Sequence, residues 1–126
     1  MSFDWTDLLT LAEALKSDPN SPGPRDASLR SAISRAYYAA FCVARNFGRD
    51  RGELTPTGTG ADHGLVRGHF LLSSDRTRRK IGADLDRLRD SRNKADYDDV
   101  LVGRPAPLAQ SSIDRARNVL TAVSSL

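Results

Sequence analysis

The 126 residues fall within the usual size of one domain, and a composition of 39% hydrophobic and 28% charged residues fits a folded chain rather than a disordered one. A net charge of +3 and a pI near 9.4 incline the surface toward acidic partners such as nucleic acid. The single cysteine, Cys42, excludes an internal disulfide and a thiolate zinc cluster. No run of about 18 apolar residues suggests a membrane span, and MSFDWTDLL lacks the basic start of a signal peptide, so the expected setting is cytoplasmic, without membrane.

Trp5, Leu8, Leu11, Ala12 and Leu15 recur at helical spacing behind Ser2 or Asp4, either of which can accept the unpaired amides of a helix start. The next stretch, SDPNSPGPRD, is dense in proline and reads as a loop. From about Asp26 to Phe47, Leu29, Ile33, Ala36, Tyr37, Ala40, Ala44 and Phe47 line one face of a long helix. Ser34, Tyr38, Phe41 and Arg45 form a second, mixed stripe on its other side, as expected of a central helix or a subunit interface. Cys42 points away from the main stripe. GRDRGELTPTGTGA reads as a long, mobile loop, and its GTG is no phosphate loop, because no strand precedes it and no Gly-Lys-Ser/Thr follows.

Asp62 is the expected cap of a short helix through HGLVRGHFLL, and Asp75 that of a longer helix through TRRKIGADLDRLRDSRNKAD. Residues 98–110 read as a loop with two prolines. Ser111 and Asp114 then form an S-x-x-D start for a last helix carrying Ile113, Ala116, Val119, Leu120 and Val123. No segment alternates like a strand. The expected architecture is all-α: one domain over residues 1–126, built as a bundle of four main helices plus one short one.

The helix ending in RNKADY departs from its own pattern. Ile81, Leu85, Leu88 and Ala95 fall at i, i+4, i+7 and i+14, and the i+11 place in this apolar stripe is Arg92. Two readings fit. Arg92 forms a structural ion pair with Asp96 one turn on, near a helix C-terminus that favours cations, or it lines a cleft as an anion site.

SRAYYAAFCVAR (34–45), HGLVRGHF (63–70) and LRDSRNKADYD (88–98) together resemble, in order and spacing, the HEPN family of small helical bacterial and archaeal proteins. The closer likeness is to the branch carrying S-x-AYYA-x-F, H-x-x-V-x-x-x-F and R-x-x-ADY. The resemblance implies an up-and-down helical bundle, usually dimeric, often encoded beside a nucleotidyltransferase-like protein in toxin–antitoxin or defence modules. Active relatives cut RNA without metal, using an arginine and a histidine of an R-x4-6-H motif that meet in a cleft across the dimer. Arg92 matches that arginine. The histidine is not matched: Tyr97 stands five residues after Arg92, and both histidines, His63 and His69, precede it.

Metal-free RNA cleavage needs a base for the 2′-OH proton and an acid for the leaving oxygen, work suited to a group that titrates near neutrality. A tyrosine titrates near 10 and is a poor base at pH 7, although Tyr97 can still donate a hydrogen bond to a phosphate or stack on a base. Asp96 can serve as a base only when it is not engaged by Arg92. His63, which matches the first residue of H-x-x-V-x-x-x-F, either supplies the missing imidazole or packs locally in the first turn of its helix. Arg92, Asp96, Tyr97 and His63 are thus the candidate catalytic group.

Arg76, Arg78, Arg79 and Lys80 crowd a helix N-terminus, where positive charge is disfavoured and an anion such as nucleic acid is welcome, or else they form a solvated run. Tyr38 suits a dimer contact or a cleft hydroxyl, beside Ser34, Phe41 and Arg45. His63 and His69, six apart, lie on opposite sides of a helix, so no metal and no cofactor is expected. The leading expectation is a homodimer that engages RNA or a nucleotide in a shared cleft, with metal-independent ribonuclease activity as its strongest form. The competing one is a non-catalytic subunit that docks a partner such as a nucleotidyltransferase-like protein.

Overall fold

The computed structural model describes residues 2–20 and 23–126. Met1 lies outside this range, as do Ser21 and Pro22 of the proline-rich loop expected at 17–26. Five helices follow one another: α1 (Asp7–Ser17), α2 (Arg25–Asp50), α3 (Asp62–Leu71), α4 (Arg76–Tyr97) and α5 (Pro105–Ser124), with no strand among the described residues. The fold is an all-α helical bundle. Among the described residues no helix is long and apolar enough to cross a membrane.

α2 is the hub. It packs against α1, α4 and α5 and, less extensively, α3. Its sequence allows this because Ala32, Ala36, Ala39, Ala40 and Ala44, all fully buried, let neighbouring helices approach from several sides at once. Ile33 and Tyr37 fill the space between the axes, and Cys42 is buried too, so burial extends well beyond the predicted stripe.

Several helix starts differ from the sequence reading, each for a local reason. Asp4 rather than Ser2 receives the early donors of α1: its Oδ1 accepts from the Thr6 amide at 3.0 Å and the Thr6 hydroxyl at 2.6 Å. Leu9 and Ala12 form the buried edge of α1, whereas Leu11 is 44% exposed. Asp62 does not cap α3. Its carboxylate turns back to accept from the Thr57 amide and hydroxyl, both at 2.7 Å, and from the Gly58 amide at 2.9 Å, and the Thr57 hydroxyl foremost holds its pKa below the usual range. Asp75 does cap α4, accepting from the Arg78 amide at 2.9 Å.

The largest correction concerns α5, which begins at Pro105, so the loop expected over 98–110 is confined to 98–104. Proline suits the first helical turn: its φ is already helical, and its missing N–H would have had no partner there. Ser111 and Asp114 therefore sit inside the helix. Ser111 donates to the Leu108 carbonyl at 3.1 Å, and Asp114 accepts from Gln110 at 2.9 Å and Arg117 at 3.3 Å.

The α2–α3 connection is fastened rather than loose. Leu54 is buried against Gly48, Asp62 ties down the Thr57 turn, and Glu53 bridges to two other helices. Arg78 of α4 donates to both Glu53 oxygens, at 2.6 and 3.1 Å, and Nε2 of His69 of α3 lies 2.9 Å from Oε1. The hydrogen bond from Arg78 foremost lowers the Glu53 pKa from 4.5 to about 2. A carboxylate with a depressed folded-state pKa contributes stability that is complete above its unfolded value and is lost as pH falls through the folded one. Acid titration of stability should therefore show a component lost between pH 4.5 and about 2. That component should be missing in Glu53→Gln when melting temperature is followed against pH, and an identical acid limb in both proteins would refute it.

Candidate functional site

Of the two places open to Arg92, a closed stripe or an open cleft, the single chain shows the closed one. Ile81, Leu85, Leu88 and Ala95 are buried, and Arg92, on the same face of α4, is only 7% exposed. Its guanidinium carbon lies 5.4 Å from the Tyr37 ring centre and 5.3 Å from that of Tyr38, a cation held over two π-faces of α2. Its carboxylate partner is distant: Nη1 stands 3.9 Å from Oδ2 of Asp96, beyond hydrogen-bonding reach, and Nε has no hydrogen-bond partner among the described residues. Asp96 leans instead toward α2, 3.4 Å from the Ser34 hydroxyl, which in turn accepts from Arg35 at 3.3 Å.

The interior therefore carries a positive charge that its own chain pairs poorly. Burying an ion costs several kcal/mol, and attraction repays that only at close contact with satisfied hydrogen bonds. Arg89, one turn earlier on the same side, adds a second guanidinium with a buried, unpartnered Nε and no ion pair among the described residues. Its placement was legible in the i, i+3 spacing to Arg92, although the sequence reading did not single it out.

His63 joins this group from α3. Its ring stacks on Phe41 with centres 4.6 Å apart and lies 5.6 Å from Tyr37, whose hydroxyl is hydrogen-bonded to Nδ1. Burial foremost, then the charges of Arg89 and Arg92, pushes the His63 pKa below its ordinary value, while burial raises that of Tyr37 well above the usual tyrosine range. At neutral pH the pair is a phenol and a neutral imidazole. His69, by contrast, faces Glu53 and has no part in the group.

Tyr97 stands apart, 75% exposed, with no ring contact or side-chain hydrogen bond among the described residues. Ser34, Asp96, Arg35, Ser31, Leu11 and Leu15 line a groove of about 410 Å³ that opens beside the Arg92–Asp96 pair. The turn carrying Asp96 is held by Arg30, missed in the sequence, whose Nη1 donates to the Ala95 carbonyl at 3.0 Å and the Asp98 carbonyl at 2.7 Å. An arginine one helix away supplies what the last turn of α4 lacks, acceptor-bound donors at its C-terminus.

The second stripe of α2 is largely covered by its own chain. Ser34 and Phe41 are buried, the latter beneath His63, and Arg45 lies over the rings of Trp5 at 5.4 Å and Phe41 at 5.9 Å. Tyr38 is half-buried between Arg35 and Arg92. The α4 N-terminal cluster is mostly engaged inside the molecule: Arg78 with Glu53, Arg79 with the Ser73 and Ser74 carbonyls, and Lys80 with Asp84 at 2.7 Å. Arg76 alone of the four makes no such contact among the described residues. No cluster of three His, Cys, Asp or Glu side chains among the described residues could hold a metal ion.

No family model, curated protein or solved structure matches this chain.

Proposed function

We propose that the protein is a HEPN-type member of a toxin–antitoxin or defence module, an up-and-down bundle that binds RNA or a nucleotide in a cleft around Arg92, with two copies contributing to that cleft. The observation that carries the reading is the buried Arg92 guanidinium, whose nearest carboxylate is 3.9 Å away and whose Nε is unpartnered. A planar fork of donors in such a place matches phosphate, and the half-buried Tyr38 ring beside it offers stacking surface. Metal-independent ribonucleolysis is the stronger form of the proposal. It requires an imidazole near Arg92, and what supports His63 in that role is that it hydrogen-bonds the same Tyr37 whose ring lies beside the Arg92 guanidinium, while Tyr97 lies exposed. Of the cluster at the start of α4, Arg76 is the residue free to add a phosphate contact.

One observation favours the alternative, a non-catalytic subunit docking a nucleotidyltransferase-like partner: within a single chain Arg92 is nearly closed off beneath Tyr37 and Tyr38. The two readings part in solution. Fluorescence anisotropy with single-stranded RNA and with nucleotides, followed by cleavage assays in EDTA and light scattering, should show binding, metal-independent cutting and a dimer. A monomer at tens of micromolar, an order-of-magnitude threshold for a stable interface, that binds neither ligand would refute the cleft.

A further inference from the structure

Away from Arg92, the last turns of α2 and the connection at 51–61 enclose another cavity, of about 710 Å³, lined among others by Arg45, Arg49, Leu54, Pro56 and Asp62. Its walls are built without a ligand. Gly48, between the two arginines in sequence, lets Leu54 fold back onto α2, since a Cβ there would stand 2.8 Å from Leu54 Cδ2, and its carbonyl accepts from the Glu53 and Leu54 amides at 2.9 and 3.4 Å. The opposite wall is the Thr57 turn that Asp62 ties down. A wall fastened at both ends costs a ligand little ordering.

Arg45 and Arg49 stand four residues apart on α2, so their side chains leave the helix within about 6 Å of each other, and like charges so placed disfavour it unless an anion lies between them. The chain offers only partial relief. Arg45 donates from Nε to Asn46 Oδ1 at 3.0 Å and lies over the Trp5 and Phe41 rings, which leaves both Nη groups without a hydrogen-bond partner among the described residues. Arg49 donates from Nε to the exposed Asp50 carboxylate at 3.0 Å, and its Nη groups are equally unengaged. Asp62 is the one carboxylate among the described lining residues, and its oxygens are committed to Thr57 and Gly58. Two arginines with spare donors thus line one cavity. It is removed from the Arg92 cleft, because Arg45 comes seven residues, about 10 Å of helix, after Tyr38, whose ring meets Arg92.

We propose that this cavity binds a small organic phosphomonoester, with the phosphate between Arg45 and Arg49 and the organic body against Leu54 and Pro56. Phosphate rather than carboxylate follows from counting oxygens. One bidentate fork satisfies both oxygens of a carboxylate, whereas the three terminal oxygens and larger charge of a phosphomonoester engage two arginines together. The volume is that of a small-molecule site, for which roughly 300–1,000 Å³ is usual, and exceeds what a bare phosphate fills. The body is a nucleoside or a sugar, two carriers of the same phosphate. Occupancy here does not depend on whether RNA or nucleotide binds at Arg92.

Phenyl phosphate titrated into the full chain and followed in amide nitrogen-15 spectra locates the site directly. Thr55, Thr57 and Gly58 should shift together with the Arg49 side-chain Nε, while Tyr38 and Asp96, next to Arg92, stay in place. Phenyl phosphate should bind several-fold more tightly than inorganic phosphate, which lacks the body, and than benzoate, which lacks the third oxygen and the larger charge. Arg49→Gln, a change at a half-exposed side chain, should weaken it roughly tenfold without moving the melting temperature. Arg45→Lys, which keeps the charge near Trp5 but removes the fork, should weaken it as well. In an Arg92→Met background, adenosine 5′-monophosphate binding more tightly than ribose 5-phosphate supports the site and identifies a nucleoside carrier; the reverse supports it and identifies a sugar. Benzoate binding as tightly as phenyl phosphate, or an affinity unchanged in Arg49→Gln, overturns the assignment. So do shifts confined to Tyr38 and Asp96, which would put the probe in the Arg92 cleft, and spectra that millimolar phenyl phosphate leaves unchanged.

Discussion

Arg92→Met is expected to raise the melting temperature by roughly 3–6 °C, about 1 kcal/mol, while abolishing the binding of RNA or nucleotide. Methionine is near arginine in length, flexible enough to fill the space between Tyr37 and Tyr38, and carries no charge to desolvate. What it loses is modest: two cation–π contacts at 5.3 and 5.4 Å and an ion pair at 3.9 Å. Asp96 is not stranded by the exchange, because its side chain is 30% exposed and can be hydrated. Alanine is a poorer probe, since it adds a cavity to the loss of charge and confounds the two. Thermal melts with anisotropy titrations decide the matter. A fall of several degrees with ligand binding intact in the folded fraction would make Arg92 a structural ion-pair residue and end the cleft reading.

Gly82→Ala should destabilise the fold by about 2 kcal/mol, although alanine is the better helix former by about 1 kcal/mol. The sign follows from where α3 crosses α4. A Cβ built on Gly82 would stand 2.6 Å from the Leu71 backbone nitrogen and 2.8 Å from its Cγ, and the backbone of α3 cannot turn aside as a side chain could. Since α3 also carries His63, the substitution should loosen the imidazole from Tyr37 and Phe41 as well. Gly68, on the open side of α3 with nothing within 4 Å of an added Cβ, supplies the control. There alanine should stabilise by roughly 0.5–1 kcal/mol. Chemical denaturation of both variants gives the comparison, and a stable Gly82→Ala protein would mean that the α3–α4 approach is looser than described.

The helices themselves were legible from periodicity, because burial on one face imposes a spacing of about 3.6 residues that survives without knowledge of the partner. That is why most of the apolar rows read on α2, α4 and α5 are buried, although burial on each helix extends beyond its row, and why Arg92 stood out as a charge among apolar residues. The start of α5 was misplaced for a different reason. Proline reads as a breaker within a chain, yet at the first turn of a helix it is favourable, and nothing local to 105–107 distinguishes the two. Asp62 shows the same ambiguity: a carboxylate at a helix start can cap forward or bind backward, and only the path of the preceding loop selected Thr57 and Gly58.

By itself, then, the sequence determined the helical class, the place of Arg92 in the apolar stripe of its helix and the absence of a motif histidine after it. Tertiary structure alone decided that Asp96 is too far to neutralise Arg92, that Arg30 secures the turn between them and the following loop, and that His63 and Tyr37 share a hydrogen bond. The physical reason is one of range. Periodicity and capping are set by neighbours within about four residues. The meetings of Tyr37 with His63 and of Arg30 with the Ala95 carbonyl join residues 26 and 65 positions apart, which only the packed helices fix.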